Sequence, residues 1–172
     1  MWVRGYPGGV FWICVLFAVV WTGDAVAMYT GKLFGRHKLA PRISPKKTWE
    51  GSIGSIVGSV IAALIVYHFA GPLMHASTPV GPYHVQVHLE VLSADEARRE
   101  MLRSYATFIA LAILLNIAAQ LGDLTESILK RGADVKDSGS LLPGHGGILD
   151  RIDALLFAAP VLWYYAAWRV MS

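Results

Sequence analysis

Apolar residues gather into four long stretches, 10–29, 53–71, 105–121 and 152–171, separated by segments dense in charge, glycine and proline. A helix rises 1.5 Å per residue and a bilayer core is about 30 Å thick, so about 20 apolar residues cross it. Each stretch therefore predicts a membrane-spanning helix, the third drawing on flanking residues. The second opens with Gly51, Ser52, Gly54, Ser55, Gly58 and Ser59, small residues at spacings that let neighbouring helices approach closely. Between the second and third stretches, His84, Gln86 and His88 alternate with Tyr83, Val85, Val87 and Leu89, the two-residue period of a short strand. Ser93-Ala94-Asp95-Glu96 then reads as a capping box that starts a charged helix leading into the third span. The expected fold is an all-α polytopic membrane protein of about four helices, forming a single membrane-embedded domain over 1–172.

Composition agrees with that pattern. The 172 residues are 55% hydrophobic and 16% charged, and the mean hydropathy is +0.47, which a domain solvated on all sides does not reach. The net charge of +3, from 15 basic and 12 acidic residues, is too small and too dispersed for a nucleic-acid binder. Cys14 is the single cysteine, which rules out a disulfide framework or a cysteine-based zinc site within the chain. His75, His84 and His88 lack carboxylate or cysteine spacing and read as solvated surface. The basic residues fall mainly in two loops, Lys32, Arg36, Lys38, Arg42, Lys46 and Lys47 in 31–52 and Lys130, Arg131, Lys136 and Arg151 in 123–151. Two spans separate these loops, so they share a face, cytoplasmic by the positive-inside bias, which leaves 72–104 and both termini outside. A secretory signal is the rival reading of the first span, through Arg4 and Ala25-Val26-Ala27. Asp24 beside that cleavage site, and the polar motif after it, argue for a retained helix.

The chemistry gathers where spans meet these loops. Asp24 stands among apolar and small neighbours, and a carboxylate at membrane depth is a functional candidate by default. If the third helix continues past the membrane, Asp123, Glu126, Ser127 and Lys130 share one of its faces. The segment from Lys136 to Asp153 holds Asp137, the glycines around His145 (Gly144, Gly146, Gly147), and Asp150 and Asp153 one turn apart with Arg151 between. Glycines there permit backbone N–H groups to converge on phosphate oxygens, while carboxylates suit a hard cation. Five acidic residues, not counting Asp153, and four basic ones lie between Asp123 and Asp153. That combination is what a magnesium–nucleotide complex requires. No Gly-x-x-x-x-Gly-Lys-Ser/Thr occurs, so the site is not a P-loop.

Ser127-Ile128-Leu129-Lys130-Arg131, Lys136-Asp137-Ser138 and Pro143-Gly144-His145-Gly146-Gly147-Ile148-Leu149-Asp150-Arg151-Ile152-Asp153 together resemble the signature of the phosphatidate cytidylyltransferases, also called CDP-diacylglycerol synthases. Ser44-Pro45-Lys46-Lys47-Thr48-Trp49-Glu50-Gly51, and the Asp24-bearing helix before it, resemble a second block of that family. The likeness covers about 20–71 and 105–160 and leaves the intervening loop unmatched. It implies that CTP and phosphatidate give CDP-diacylglycerol and pyrophosphate, with Mg2+ and room for a monovalent cation such as K+. By motif position it implies Asp123 and Asp150 as metal ligands, with Asp137, Asp153 and Asp24 as lesser candidates. Lys46, Lys47, Lys130, Arg131 and Arg151 would hold phosphates, and Ser44, Thr48, Ser127, His145, Gly146 and Gly147 would line the substrates. A multi-pass inner or plasma membrane location with a cytoplasmic site follows from the same likeness. Three other readings are open: a CTP-dependent lipid kinase, a CDP-archaeol synthase-like enzyme, and a non-catalytic subunit of a split enzyme. Bacterial members carry further spans before the block that begins near Trp21, so a short form, a piece of a longer product or half of a split enzyme is expected here. The small residues on more than one face of the second helix, with Asp24, predict a homodimer or a complementing membrane subunit.

Overall fold

In a computed structural model the chain is described over residues 9–76, 94–135 and 149–171, with backbone alone at 70–76, 94, 97, 149–151 and 169–171. Four helices, α1 (Gly9–Phe34), α2 (Trp49–Ala76), α3 (Ala94–Gly132) and α4 (Leu149–Met171), and a two-stranded hairpin, β1 (Lys38–Ala40) with β2 (Ser44–Thr48), make up these residues. α1, α2 and α3 each contain a window long and apolar enough to cross a membrane, and Ile152–Trp168 of α4 is a shorter apolar helix. The chain is an all-α polytopic membrane protein. The alternating segment 83–89, with His84 and His88, lies outside the described residues.

All four helices outrun the apolar stretches that predict them. α3 begins at Ala94, directly after the expected cap residue Ser93, with Asp95 and Glu96 in its first turn, where carboxylates oppose the helix dipole. It runs unbroken for 39 residues and ends with Lys130 and Arg131 in its last turn and Asp134 at φ 53° just beyond. The hairpin is a difference from expectation. Residues 38–48 carry no alternation of apolar and polar positions, so the sequence predicts a loop there. They pair antiparallel, Lys38 with Thr48 and Ala40 with Ser44, around a tight turn in which Ile43 N–H donates to the Ala40 carbonyl at 3.2 Å.

α1 packs chiefly on α2 and α3 on α4, and a smaller contact of α2 with α3 joins the two pairs. Val15, Val19, Leu115, Ala112, Ala158 and Leu162 are almost wholly buried where α1, α3 and α4 meet. At the start of α1, Trp12 stacks on Phe108 with centroids 5.7 Å apart, and Tyr165 meets Trp12 edge-on at 5.3 Å. These rings fill the end of the bundle remote from the hairpin. On the outer face of α2, Ile53, Val57, Ile61, Ile65 and Phe69 stand exposed at four-residue intervals, as expected where acyl chains are the solvent.

The small residues of α2 do serve two neighbours, and both belong to this chain. A Cβ on Gly54 would lie 2.5 Å from Thr30, and one on Gly58 would lie 2.7 Å from Val26, so this face receives α1. The serines receive α3: Asn116 Nδ2 donates to Ser55 Oγ and Ser59 Oγ, each at 2.8 Å, and Gln120 Nε2 donates to Asn116 Oδ1 at 2.6 Å. Ser59 Oγ donates to the Val19 carbonyl at 2.7 Å, and Ser52 donates to Gln120 Oε1 at 2.5 Å. The stripe thus makes no demand for a second copy.

Within an apolar medium such a ladder stands in for water. Asn116→Leu, which strands the Ser55 hydroxyl and removes an acceptor from Gln120, is expected to cost about 1–2 kcal/mol of stability. Reversible unfolding in mild detergent measures this, and an unchanged midpoint would show that apolar packing alone holds α2 on α3.

Candidate active site

The site forms where α1 ends, α2 begins and α3 leaves the apolar core. Thr48 closes the hairpin and caps α2: its Oγ1 accepts the Gly51 N–H at 3.1 Å, satisfying a donor that the first helical turn cannot pair itself. Glu50 ties the other strand down, accepting the His37 N–H at 3.2 and 3.3 Å and lying 2.7 Å from His37 Nδ1. Gly31 and Gly51 bring the end of α1 against the start of α2, the Gly31 and Gly51 Cβ positions lying 3.2 and 3.0 Å from Thr48 Oγ1. The hairpin is therefore anchored at its base and leans over the helix ends.

Beneath it is a cavity of about 740 Å³. Asp24, Ala27, Met28, Gly31 and Lys32 line it from α1; these positions, i, i+3, i+4, i+7 and i+8, share one helix face. Ser44, Lys46, Lys47 and Thr48 line it from β2, Lys38 and Leu39 from β1, and Gln120 and Asp123 from α3. The hairpin supplies a wall of this volume that the helices alone do not.

Lys47 Nζ lies 2.5 Å from Asp123 Oδ2, joining two motifs that are far apart in sequence. One turn along α3, Glu126 is 5% exposed and lies 3.2 Å from Lys130 Nζ. Oxygen atoms of Asp123, Glu126 and Asp153 all fall within 4.8 Å of one another. Asp153 reaches them because Gly122 lets α4 close on α3: a Cβ at Gly122 would lie 2.5 Å from the Asp153 carbonyl oxygen. Asp24 lies within electrostatic range of Asp123, Asp153 and Lys47. Four carboxylates thus meet two ammonium groups, an arrangement that repels itself unless a cation or protons join it. Three hard oxygen donors at this spacing fit a divalent cation such as Mg2+.

Of the residues singled out from sequence, Asp24, Ser44, Lys46, Lys47, Thr48 and Asp123 share the cavity, and Asp153 joins Asp123. Thr48 has a capping task besides. Lys130 faces Glu126 on its own helix, and exposed Arg131 donates from Nε to the Ile43 carbonyl in the hairpin turn at 3.4 Å. Ser127 is half-buried and is not among the described lining residues. Asp150 and Arg151 are described only as backbone of α4, and Asp137, His145, Gly146 and Gly147 lie outside the described residues. Sequence reasoning put Glu126 on the face of Asp123 yet gave it no ligand role; its three-residue offset was the available signal. Ser52, Ser55 and Gln120 were missed as lining residues, since only the contact of α2 with α3 brings them there.

The sequence profile of the cytidylyltransferase family matches residues 1–168. A phosphatidate cytidylyltransferase of Haemophilus influenzae is 39% identical over 157 residues, which are 91% of this chain and 46% of that protein. Its namesake in Brucella abortus is 42% identical over 161 residues, 94% of this chain and 48% of that protein. The Bacillus subtilis protein of the same name is 39% identical over 158 residues, 92% of this chain and 47% of that protein. The chain spans about half the length of these curated relatives.

Proposed function

The chain belongs to the cytidylyltransferase family, and from that membership we propose that it transfers the cytidylyl group of CTP to phosphatidate, giving CDP-diacylglycerol and pyrophosphate. The observation that carries this reading is the Lys47–Asp123 pair, which joins the hairpin lysines to the acidic end of α3 within one cavity at the membrane edge. The names of the relatives point to the same reaction. A lipid kinase, a CDP-archaeol synthase-like enzyme and a non-catalytic subunit gain no support from them.

In this reaction a phosphate oxygen of the lipid bonds to the α-phosphorus of CTP. The bond from that phosphorus to the bridging oxygen breaks, and its electron pair leaves with pyrophosphate. Two anions must be brought together, so the protein's work is positioning and charge neutralisation. Ser44, Lys46 and Lys47 offer a hydroxyl and two ammonium groups to the triphosphate. Lys47, already drawn towards Asp123, holds its charge next to the carboxylates rather than in bulk water. Asp123, Glu126 and Asp153 would hold Mg2+, with Asp150, Asp137 and Asp24 as further candidates and K+ as a possible second cation. Mg2+ held there supplies positive charge to the phosphate oxygens. The reading places the protein in the inner or plasma membrane with the hairpin on the cytoplasmic side, supported by the basic residues of 31–52.

CTP labelled at the α-phosphorus tests the reading. Purified chain with phosphatidate and Mg2+ is expected to put the label in lipid. Label reaching lipid only from the γ-position would make the chain a kinase, and no transfer from either would leave it a binding subunit.

A further inference from the structure

The cavity wall formed by α1 is chemically graded. Asp24 lies at its inner end and Lys32, in the last turn of α1, at its outer end. Eight residues separate them, about 12 Å along the helix axis. Lys38 of β1 lines the cavity as well. Among the described residues neither Lys32 nor Lys38 forms an ion pair, whereas Lys47 is engaged by Asp123. Among the described residues, the outer end therefore presents positive charge that no carboxylate pairs with.

That end also borders the bilayer. Met28 lines the cavity and is 47% exposed, and Tyr29 beside it on the flank of α1 is 61% exposed. Tyr29, Leu33 and Phe34 continue the exposed apolar surface to the end of the helix, which sets Lys32 at the level of lipid headgroups. A lysine there lays its stem along apolar surface and holds its ammonium among phosphates.

We propose that Lys32 and Lys38 form the subsite for the phosphate monoester of a diacyl lipid, whose acyl chains leave the cavity past Met28. The proposal rests on the cytidylyl-transfer reading for the identity of that lipid as phosphatidate. A lipid phosphate and the CTP triphosphate offer the same chemistry to a lysine, and access separates them. A two-chain lipid cannot leave the bilayer, so its phosphate enters by the flank that acyl chains can follow. The nucleotide carries no such tether and takes the hairpin face of Ser44, Lys46 and Lys47.

The test compares the whole chain with Lys32→Gln/Lys38→Gln, using native mass spectrometry of adducts with dioleoylphosphatidate or dioleoylphosphatidylcholine. Wild type is expected to retain phosphatidate preferentially, and the double variant to lose about tenfold in that preference, as removal of charge-assisted phosphate contacts implies. Lys32→Arg/Lys38→Arg should recover it, which a folding defect would not allow. In the transfer assay the Gln variant should raise the KM for phosphatidate about tenfold and leave that for CTP within about twofold, while Lys47→Ala does the reverse. A wild-type chain without preference for phosphatidate, or a double variant that keeps it, overturns the subsite. So does a rise in the KM for CTP alone. Preferential binding that depends on both lysines, without transfer of α-label, would sink the cytidylyl-transfer reading and leave the subsite standing.

Discussion

Asp123→Asn is expected to lower the proposed cytidylyl transfer by roughly 100-fold or more, equivalent to about 3 kcal/mol at the transition state, while the chain remains folded. Asp123 belongs to two arrangements at once: it accepts Lys47 at 2.5 Å, and it shares the 4.8 Å cluster with Glu126 and Asp153. An amide keeps the size of the side chain and discards its charge, so both arrangements lose the same anion. The cluster then binds a divalent cation less well, and Lys47 is no longer drawn towards α3. Folding should tolerate the change because the side chain is 41% exposed and bordered by a cavity rather than by packed core. Label transfer from α-labelled CTP, measured at rising Mg2+, checks this. Turnover like that of wild type at ordinary Mg2+ would remove Asp123 from the site, and recovery at high Mg2+ would assign the loss to cation affinity.

The helices were legible because membrane spans are written in long, redundant stretches: no single residue in 10–29 or 105–121 had to be read correctly. Their ends were less so. The continuation of α3 to Gly132 rests on Asp123, Glu126, Ser127 and Lys130 sharing a face, a pattern visible in sequence, but the apolar run that marks the span stops at Leu121. The hairpin left no periodic trace. Its strands are three and five residues long, and what anchors them is not periodic: the His37–Glu50 contact across the hairpin and the Thr48 cap on α2. Without the hairpin the cavity could not be foreseen, and its outer residues Met28, Lys32, Lys38 and Leu39 read as ordinary loop and helix-end residues. Asp24 and Asp123, by contrast, announced themselves, because charge at membrane depth is costly wherever the rest of the chain lies.

Gly122→Ala is expected to damage both stability and activity, although it adds a single methyl group. By helix propensity the change should help, alanine being favoured over glycine by up to about 1 kcal/mol within a helix. The new Cβ, however, would lie 2.5 Å from the Asp153 carbonyl oxygen and 3.1 Å from Phe157 Cδ2. The ring can turn aside, but a backbone carbonyl inside α4 moves only with its helix. α4 must therefore shift away from α3, a strain of the kind that costs about 1–3 kcal/mol in packed interiors, and it carries Asp153 away from Asp123 and Glu126. Transfer activity should fall at least about tenfold, since misplacing a positioned group by about 1 Å is enough for such losses. Gly132→Ala is the matched control, because nothing lies within 4 Å of the Cβ it would add. It should leave activity intact and stability within about 0.5 kcal/mol or slightly improved. The two variants make the same chemical change on the same helix, so a difference between them isolates the α3–α4 approach. If Gly122→Ala matched Gly132→Ala in both unfolding midpoint and label transfer, the closeness of the two helices would not be what assembles the three carboxylates.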